Sequence, residues 1–131
     1  MSFGQREYDR QKPEIDFPEG PVPAELKIVD LIEGEGREVA AGDTVSAQYV
    51  GVAWSTGEEF DASWNNGRPL DFRVGVGQVI QGWDQGLLGM KLGGRRRLEI
   101  PSELAYGSAG AGGVIAPNEA LIFVVDLMGV R

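Results

Sequence analysis

The amino-acid sequence predicts an α+β domain, with a curved antiparallel sheet of five to six strands packed on one short helix. Three observations support this fold class. Several segments carry apolar side chains with a period of two, as half-buried strands do. Only one segment carries them at intervals of three and four, as one face of a helix does. The chain of 131 residues also contains 20 glycines, so tight turns between short elements should be frequent.

The elements follow in order from their local patterns. Residues 1–23 are polar, charged and interrupted by prolines, which predicts an extended tail ahead of a domain over residues 24–131. Ile15 and Phe17 are apolar enough to dock on that domain. Strands are predicted where apolar residues alternate between turn-forming residues, at 26–32, 44–54, 70–74, 95–100 and 120–130. The last strand is apolar on both faces, which indicates burial on both sides.

One segment has helical spacing, with apolar residues at Val79, Ile80, Trp83, Leu87 and Leu88. Each of the two glycines within it costs such a helix roughly 1 kcal/mol relative to alanine. A short helix of this composition therefore forms only if tertiary contacts hold it.

Three other patterns have ordinary structural explanations. Arg95 and Arg97 alternate with Arg96, which indicates an exposed strand with one arginine extended along the surface rather than an anion-binding patch. The glycines at 75–77 lack the third glycine and the βαβ unit of a nucleotide-binding loop. The carboxylates at 58–61 are typical of a solvated turn rather than of a glycosidase pair.

The composition excludes several classes of chemistry. The chain has no Cys and no His, so it forms no disulfide, has no thiolate or imidazole catalyst, and lacks the commonest metal ligands. We expect neither a metal nor another cofactor. A net charge of -8 makes nucleic acid an improbable partner, because its phosphates would be repelled. The N-terminus lacks the apolar region of a secretory signal, and no apolar run approaches the roughly 20 residues of a membrane span. A cytoplasmic location without membrane partners is the prediction.

A specific resemblance emerges at residues 75–87, GVGQVIQGWDQGL. This segment resembles the signature of the FKBP-type peptidyl-prolyl cis-trans isomerases, and Met90-Lys91-Leu92-Gly93 continues it. Flanking blocks occur in the family's order, so that the resemblance covers roughly residues 25 to 131. These blocks are Tyr49-Val50-Gly51, GEEFDAS at 57–63, Ile100-Pro101, Ala105-Tyr106-Gly107, VIAP at 114–117 and Leu121-Ile122-Phe123.

The resemblance implies a half barrel of antiparallel strands wrapped around the short helix, with a shallow proline-binding pocket between them. It places Trp83 at the floor of the pocket and makes the Ile80 N–H and the Tyr106 hydroxyl donors to substrate carbonyls. Asp61 either stabilises the rotated carbonyl carbon or orders Tyr49. The implied catalytic residues are Asp61, Tyr106, Trp83 and Phe60, and the implied substrate-binding residues are Tyr49, Leu70, Val79, Ile80, Ile115 and Phe123.

The implied activity is rotation of X-Pro peptide bonds in peptides and unfolded proteins by a monomer that assists folding and binds macrolides such as rapamycin. The alternative is a binding module that uses the same pocket for proline segments or macrolides without turnover. The chain departs from the family at Leu70, where an aromatic wall is usual, and at Asn66, where a basic residue is common. Ala111 and Ala116 also change the loop over the pocket. We expect these departures to alter macrolide affinity rather than the fold.

Overall fold

The computed structural model describes residues 11–131, and these form one antiparallel sheet packed on a helix. The predicted fold class is confirmed. The strands are β1 (Lys27–Ile32), β2 (Thr44–Ala53), β3 (Glu59–Ala62), β4 (Leu70–Arg73), β5 (Arg95–Ile100) and β6 (Leu121–Val130), and 3-10 helices cover Ser63–Asn66 and Ser102–Leu104. The helix α1 spans Gln81–Gly86. The sheet has the order β1-β5-β6-β2-β3, and β4 pairs with residues 44–47 of β2.

Both faces of the sheet are covered, but by different partners. On one face, alternate side chains of β2 such as Val45 and Ala47 join the main core with Trp83 of the helix. We call this the helix face. On the other, the outer face, Val50 and Val52 belong to a second apolar cluster. The central strand β6 is buried along most of its length because it contributes to both clusters, as its two apolar faces predicted.

The helix is shorter than predicted, since Val79 and Ile80 precede it in extended or turn conformation. Its glycines allow close contact with β5. A Cβ atom on Gly82 would lie 2.6 Å from the Ile100 side chain, and one on Gly86 would lie 2.8 Å from the Leu98 side chain. The residues that weaken the isolated helix therefore let it pack directly on the sheet.

The structure corrects the expectation for the arginine strand. Arg96 is only 8% exposed and turns towards the helix face. Its guanidinium donates to the carbonyls of Gly86 and Leu88 at 2.9 and 3.1 Å, and pairs with Asp30 of β1. A cation at a helix C-terminus satisfies carbonyl groups that have no partner within the helix. Arg96 is thus a buried connector between β1, β5 and α1, and not a surface side chain.

No helix or strand occurs over residues 11–23, and part of this stretch lies against the outer face. Ile15 packs on the outer-face cluster, and Pro18 is buried. The Phe17 ring covers Gly57, where a Cβ atom would lie 2.6 Å from it. The remainder of the tail, residues 1–10, is outside the described residues, and a boundary between 23 and 24 stays a prediction. Within residues 11–131 no helix is long and apolar enough to cross a membrane.

Candidate active site

An aromatic-lined cavity of ≈ 170 Å³ opens between the helix face of the sheet and α1. Since a molecule of liquid water occupies roughly 30 Å³, a cavity of this volume has room for a small ring and not only for a single water molecule. Its lining combines aromatic, aliphatic and a few polar side chains: Tyr49, Phe60, Asp61, Leu70, Gln78, Val79, Ile80, Trp83, Tyr106 and Phe123.

Trp83 forms the floor of the cavity because α1 directs its indole at the sheet. The ring is 4% exposed and meets three other aromatic rings. Tyr49 and Phe123 lie edge-on to it, each with a centroid distance of 5.1 Å, and Phe72 is tilted against it at 5.3 Å. Edge-to-face contacts of this kind fix ring orientations as well as burying area. The floor is therefore rigidly packed and belongs to the main core.

Phe60 forms a side wall, and a glycine makes its position possible. Its ring lies edge-on to Phe123, with a centroid distance of 5.5 Å. A Cβ atom on Gly51 would lie 2.6 Å from the Phe123 ring and 2.7 Å from the Phe60 ring. Any side chain at Gly51 would thus displace the wall. Gly51 stands within a motif that the sequence analysis quoted, but only the folded geometry reveals its role.

Asp61 and Tyr49 form the polar edge of the cavity. The Tyr49 hydroxyl donates a hydrogen bond of 2.6 Å to Asp61 Oδ2. Burial, this hydrogen bond and the charge of Asp61 all raise the pKa of Tyr49 above its usual range. Burial, followed by the charge of Asp61, likewise raises the pKa of Tyr106. Both phenols therefore remain protonated at neutral pH and are able to donate hydrogen bonds.

The loop before α1 presents a backbone donor. The Ile80 carbonyl accepts from Trp83 N and Asp84 N at 2.9 and 3.1 Å, while the Ile80 N–H donates no hydrogen bond within the described residues. The Asp84 carboxylate fixes the loop by accepting from the amides of Gly75 and Gly77 at 2.8 and 3.0 Å. An exposed donor on a fixed loop beside a cavity is suited to binding a carbonyl group.

The predicted site residues come together with one exception. Ile115 is 6% exposed and packs within the main core, and it is not among the residues that line the cavity. Gln78 lines the cavity without having been predicted as a site residue; its Oε1 accepts from the Arg73 amide at 2.9 Å. Leu70 stands at the entrance with 41% of its surface exposed. Asn66 lies outside the cavity, in a neighbouring hollow that Tyr49 and Leu70 also line.

This arrangement defines a class of protein. An apolar floor with hydrogen-bond donors at its edge is suited to a small apolar ring with carbonyl groups attached to it. The lining contains no cysteine or histidine that could act as a nucleophile or base. The groups that remain, a carboxylate, two phenols and a backbone N–H, are suited to non-covalent binding.

Comparison with known proteins identifies the family. The sequence model of the FKBP-type peptidyl-prolyl cis-trans isomerases matches residues 35–128. A protein of Streptomyces anulatus named FK506-binding protein is 65% identical over 121 residues, which are 92% of this chain and 98% of that protein. A probable FK506-binding protein of Corynebacterium glutamicum is 47% identical over 118 residues, 90% of this chain and 98% of its own.

Solved structures agree with this match. The crystal structure of AtFKBP13 superposes with a TM-score of 0.76 at 42% identity, covering 84% of this chain and 96% of that one. FkpA from Escherichia coli gives a TM-score of 0.74 at 42% identity, over 81% of this chain and 48% of the longer relative. The chain belongs to the FKBP-type peptidyl-prolyl cis-trans isomerase family, and the family and activity predicted from its sequence are confirmed. The alternative of a binding module without turnover is not favoured.

Proposed function

We propose that the aromatic cavity is the isomerase active site, and that it rotates X-Pro bonds of peptides and unfolded proteins with the pyrrolidine ring seated on Trp83. The observation that carries this proposal is the fit of the cavity: ≈ 170 Å³, an indole floor, and hydrogen-bond donors at the edge. The physiological use follows from the rate of the uncatalysed reaction. X-Pro rotation takes tens of seconds or longer and limits the folding of many chains.

The chemistry needs no nucleophile because no bond is made or broken. Twisting an amide removes its resonance, which gives a barrier of about 18–20 kcal/mol. The resonance form is charge-separated, so a dry apolar pocket disfavours the planar state relative to the twisted one. Contacts that fit the twisted geometry better than the planar one lower the barrier further.

Each group has a distinct role in this mechanism. Phe60, Phe123 and Tyr49 enclose the proline ring, while the Ile80 N–H and the Tyr106 hydroxyl donate to the carbonyls on either side of it. Of the two roles open for Asp61, orienting Tyr49 is the one supported by a direct contact, the 2.6 Å hydrogen bond. A Tyr49 ring held in this way keeps the wall in place while the amide turns.

The same pocket would bind macrolides of the FK506 and rapamycin type. Two relatives that align along almost their whole length carry FK506 in their names, which supports this ligand class. Leu70 provides a smaller and more exposed wall than an aromatic residue would, so we expect weaker macrolide binding than in a relative with an aromatic side chain there. We further propose that residues 24–131 form the catalytic domain and that the protein acts as a cytoplasmic monomer.

A turnover assay tests the proposal directly. NMR exchange spectroscopy on a Leu-Pro peptide should show cis-trans exchange well above the background rate at micromolar protein, and addition of FK506 should suppress it. Tryptophan fluorescence, to which Trp54, Trp64 and Trp83 all contribute, is measured in parallel and reports ligand binding. A change in fluorescence on adding FK506 without any acceleration of exchange would reject catalysis and favour the binding module.

A further inference from the structure

Lys12 of the N-terminal segment joins two elements beside the active site. Its Nζ lies 2.9 and 3.2 Å from the two carboxylate oxygens of Glu59, the first residue of β3. It also donates to Asn65 Oδ1 at 3.0 Å, in the 3-10 helix that follows β3, and Asn65 donates to Glu59 at 3.1 Å. The hydrogen bond from Lys12 holds the pKa of Glu59 below its usual range, so this carboxylate stays charged at neutral pH.

The strand between these contacts is short, and apart from Glu59 its side chains are restrained by Phe123, by Tyr49 and by burial in the outer-face cluster. β3 is a four-residue strand at the edge of the sheet, and within residues 11–131 it pairs only with β2. The register of that pairing shifts between Gly51 and Val52. A short, irregular edge strand is held by few backbone hydrogen bonds. Nevertheless it carries Phe60 and Asp61, which both line the cavity.

Lys12 is held in place because the chain around it crosses the outer face of the sheet. We name residues 11–18 the strap. At one end, the Gln11 carbonyl accepts a hydrogen bond of 2.9 Å from Arg95 of β5. Beyond Lys12, Ile15 packs on the outer-face cluster and Pro18 is buried. The strap therefore spans the back of the sheet from β5 to β3, opposite the cavity.

We infer that Lys12 is a positioning residue for the isomerase reaction, which sets the position of Phe60 and Asp61 from the outer face without touching the substrate. The inference rests on the proposed function. It means that the strap supports the geometry of the active site from the opposite side of the sheet. The ion pair is partly exposed, at 39% for Lys12 and 34% for Glu59, so its loss should change stability little. Displacing a pocket wall has a larger effect on turnover, because catalysis depends on sub-ångström placement.

The test compares two substitutions at Lys12 with one matched control. Lys12→Met keeps the length of the side chain and removes its charge, whereas Lys12→Arg keeps a cation that can bind both partners. Lys91→Met is the control, since Lys91 is as exposed as Lys12 and pairs with the more exposed Glu33 at 3.2 Å, away from the cavity. NMR exchange at several Leu-Pro peptide concentrations separates kcat from KM. The ¹³Cζ resonance of Tyr49 reports its hydrogen bond to Asp61 and requires no turnover.

Lys12→Met should lower kcat by roughly three- to tenfold with a smaller change in KM. It should shift the Tyr49 resonance, and Lys12→Arg should restore both. Lys91→Met should leave both unchanged. A Lys12→Met protein with the kcat and Tyr49 resonance of the Lys91→Met control would overturn the inference. If the wild-type protein itself showed no turnover, the proposed function would fail, and the Tyr49 resonance would still decide whether Lys12 positions β3.

Discussion

The floor and the rim of the pocket border the same cavity but are embedded differently in the protein. The floor is Trp83, which is 4% exposed and surrounded by the main core. The rim consists of Asp61, Leu70 and Tyr106, all of them exposed side chains on a short strand, a strand end or a loop. Floor residues therefore serve folding and function together, whereas rim residues can change with little effect on stability.

This difference in burial separates two properties of the pocket, the stability of its floor and the ligand preference of its rim. A change at the floor disturbs the core, so it alters stability before it tunes selectivity. A change at the rim, such as the leucine at position 70, should alter what the pocket accepts and leave the core intact. We therefore expect floor substitutions to lower the free energy of unfolding, and rim substitutions to change ligand affinity and turnover at nearly constant stability.

The largest effect is expected at the floor, from Trp83→Ala. Removing a buried indole should lower the free energy of unfolding by about 3–5 kcal/mol, because the cavity it leaves is only partly refilled. It should also abolish most of the isomerase activity. Urea unfolding followed by circular dichroism measures the first effect, and NMR exchange measures the second.

Trp83→Phe separates the two consequences, since it keeps an aromatic ring in the floor with a smaller loss of volume. We expect a well-folded protein with reduced activity. Wild-type stability in the Trp83→Ala protein would show that the floor is not part of the core, and the contrast between floor and rim would then be lost.

The floor was easier to predict from the sequence than the rim. The period of two in β2 and β6 and the helical spacing around Trp83 follow from burial, which leaves a regular pattern along the chain. β3 has only four residues, too few to show a period, so Phe60 and Asp61 were identified by resemblance alone. The alternation in β5 predicts that Arg96 shares a face with Leu98 and Ile100, but not its burial, which depends on helix carbonyls that only the folded chain brings close.

A smaller effect on stability is expected at alkaline pH from Tyr49, whose ring contacts Trp83 in the floor and whose hydroxyl bonds to Asp61 in the rim. Burial, and then its hydrogen bond to Asp61, raises the pKa of Tyr49 in the folded state, whereas in the unfolded chain tyrosine titrates near about 10. Above that pH the unfolded state loses a proton that the folded state retains. The contribution of Tyr49 to the free energy of unfolding is therefore fully present below about pH 10 and is lost as the pH rises further.

Urea unfolding of the wild-type and Tyr49→Phe proteins at a series of alkaline pH values measures this effect. The Tyr49→Phe protein should lose stability less steeply, because one of the responsible groups is gone. Asp61→Asn should also lessen the loss, since it removes the charge beside the phenol. Equal slopes for wild type and Tyr49→Phe would show that the phenol is no better protected in the folded state than in the unfolded chain.

The smallest effect on stability is expected at the rim, from Tyr106→Phe. This substitution therefore differs most clearly from Trp83→Ala at the floor. The side chain is 39% exposed, so loss of its hydroxyl should leave the free energy of unfolding within about 0.5 kcal/mol of wild type. If the hydroxyl donates to a substrate carbonyl, its loss removes one hydrogen bond worth about 0.5–1.5 kcal/mol, which lowers kcat/KM by roughly three- to tenfold. NMR exchange and urea unfolding on the same sample measure both quantities. Unchanged kcat/KM would assign Tyr106 to packing and leave the Ile80 amide as the donor at the edge of the pocket.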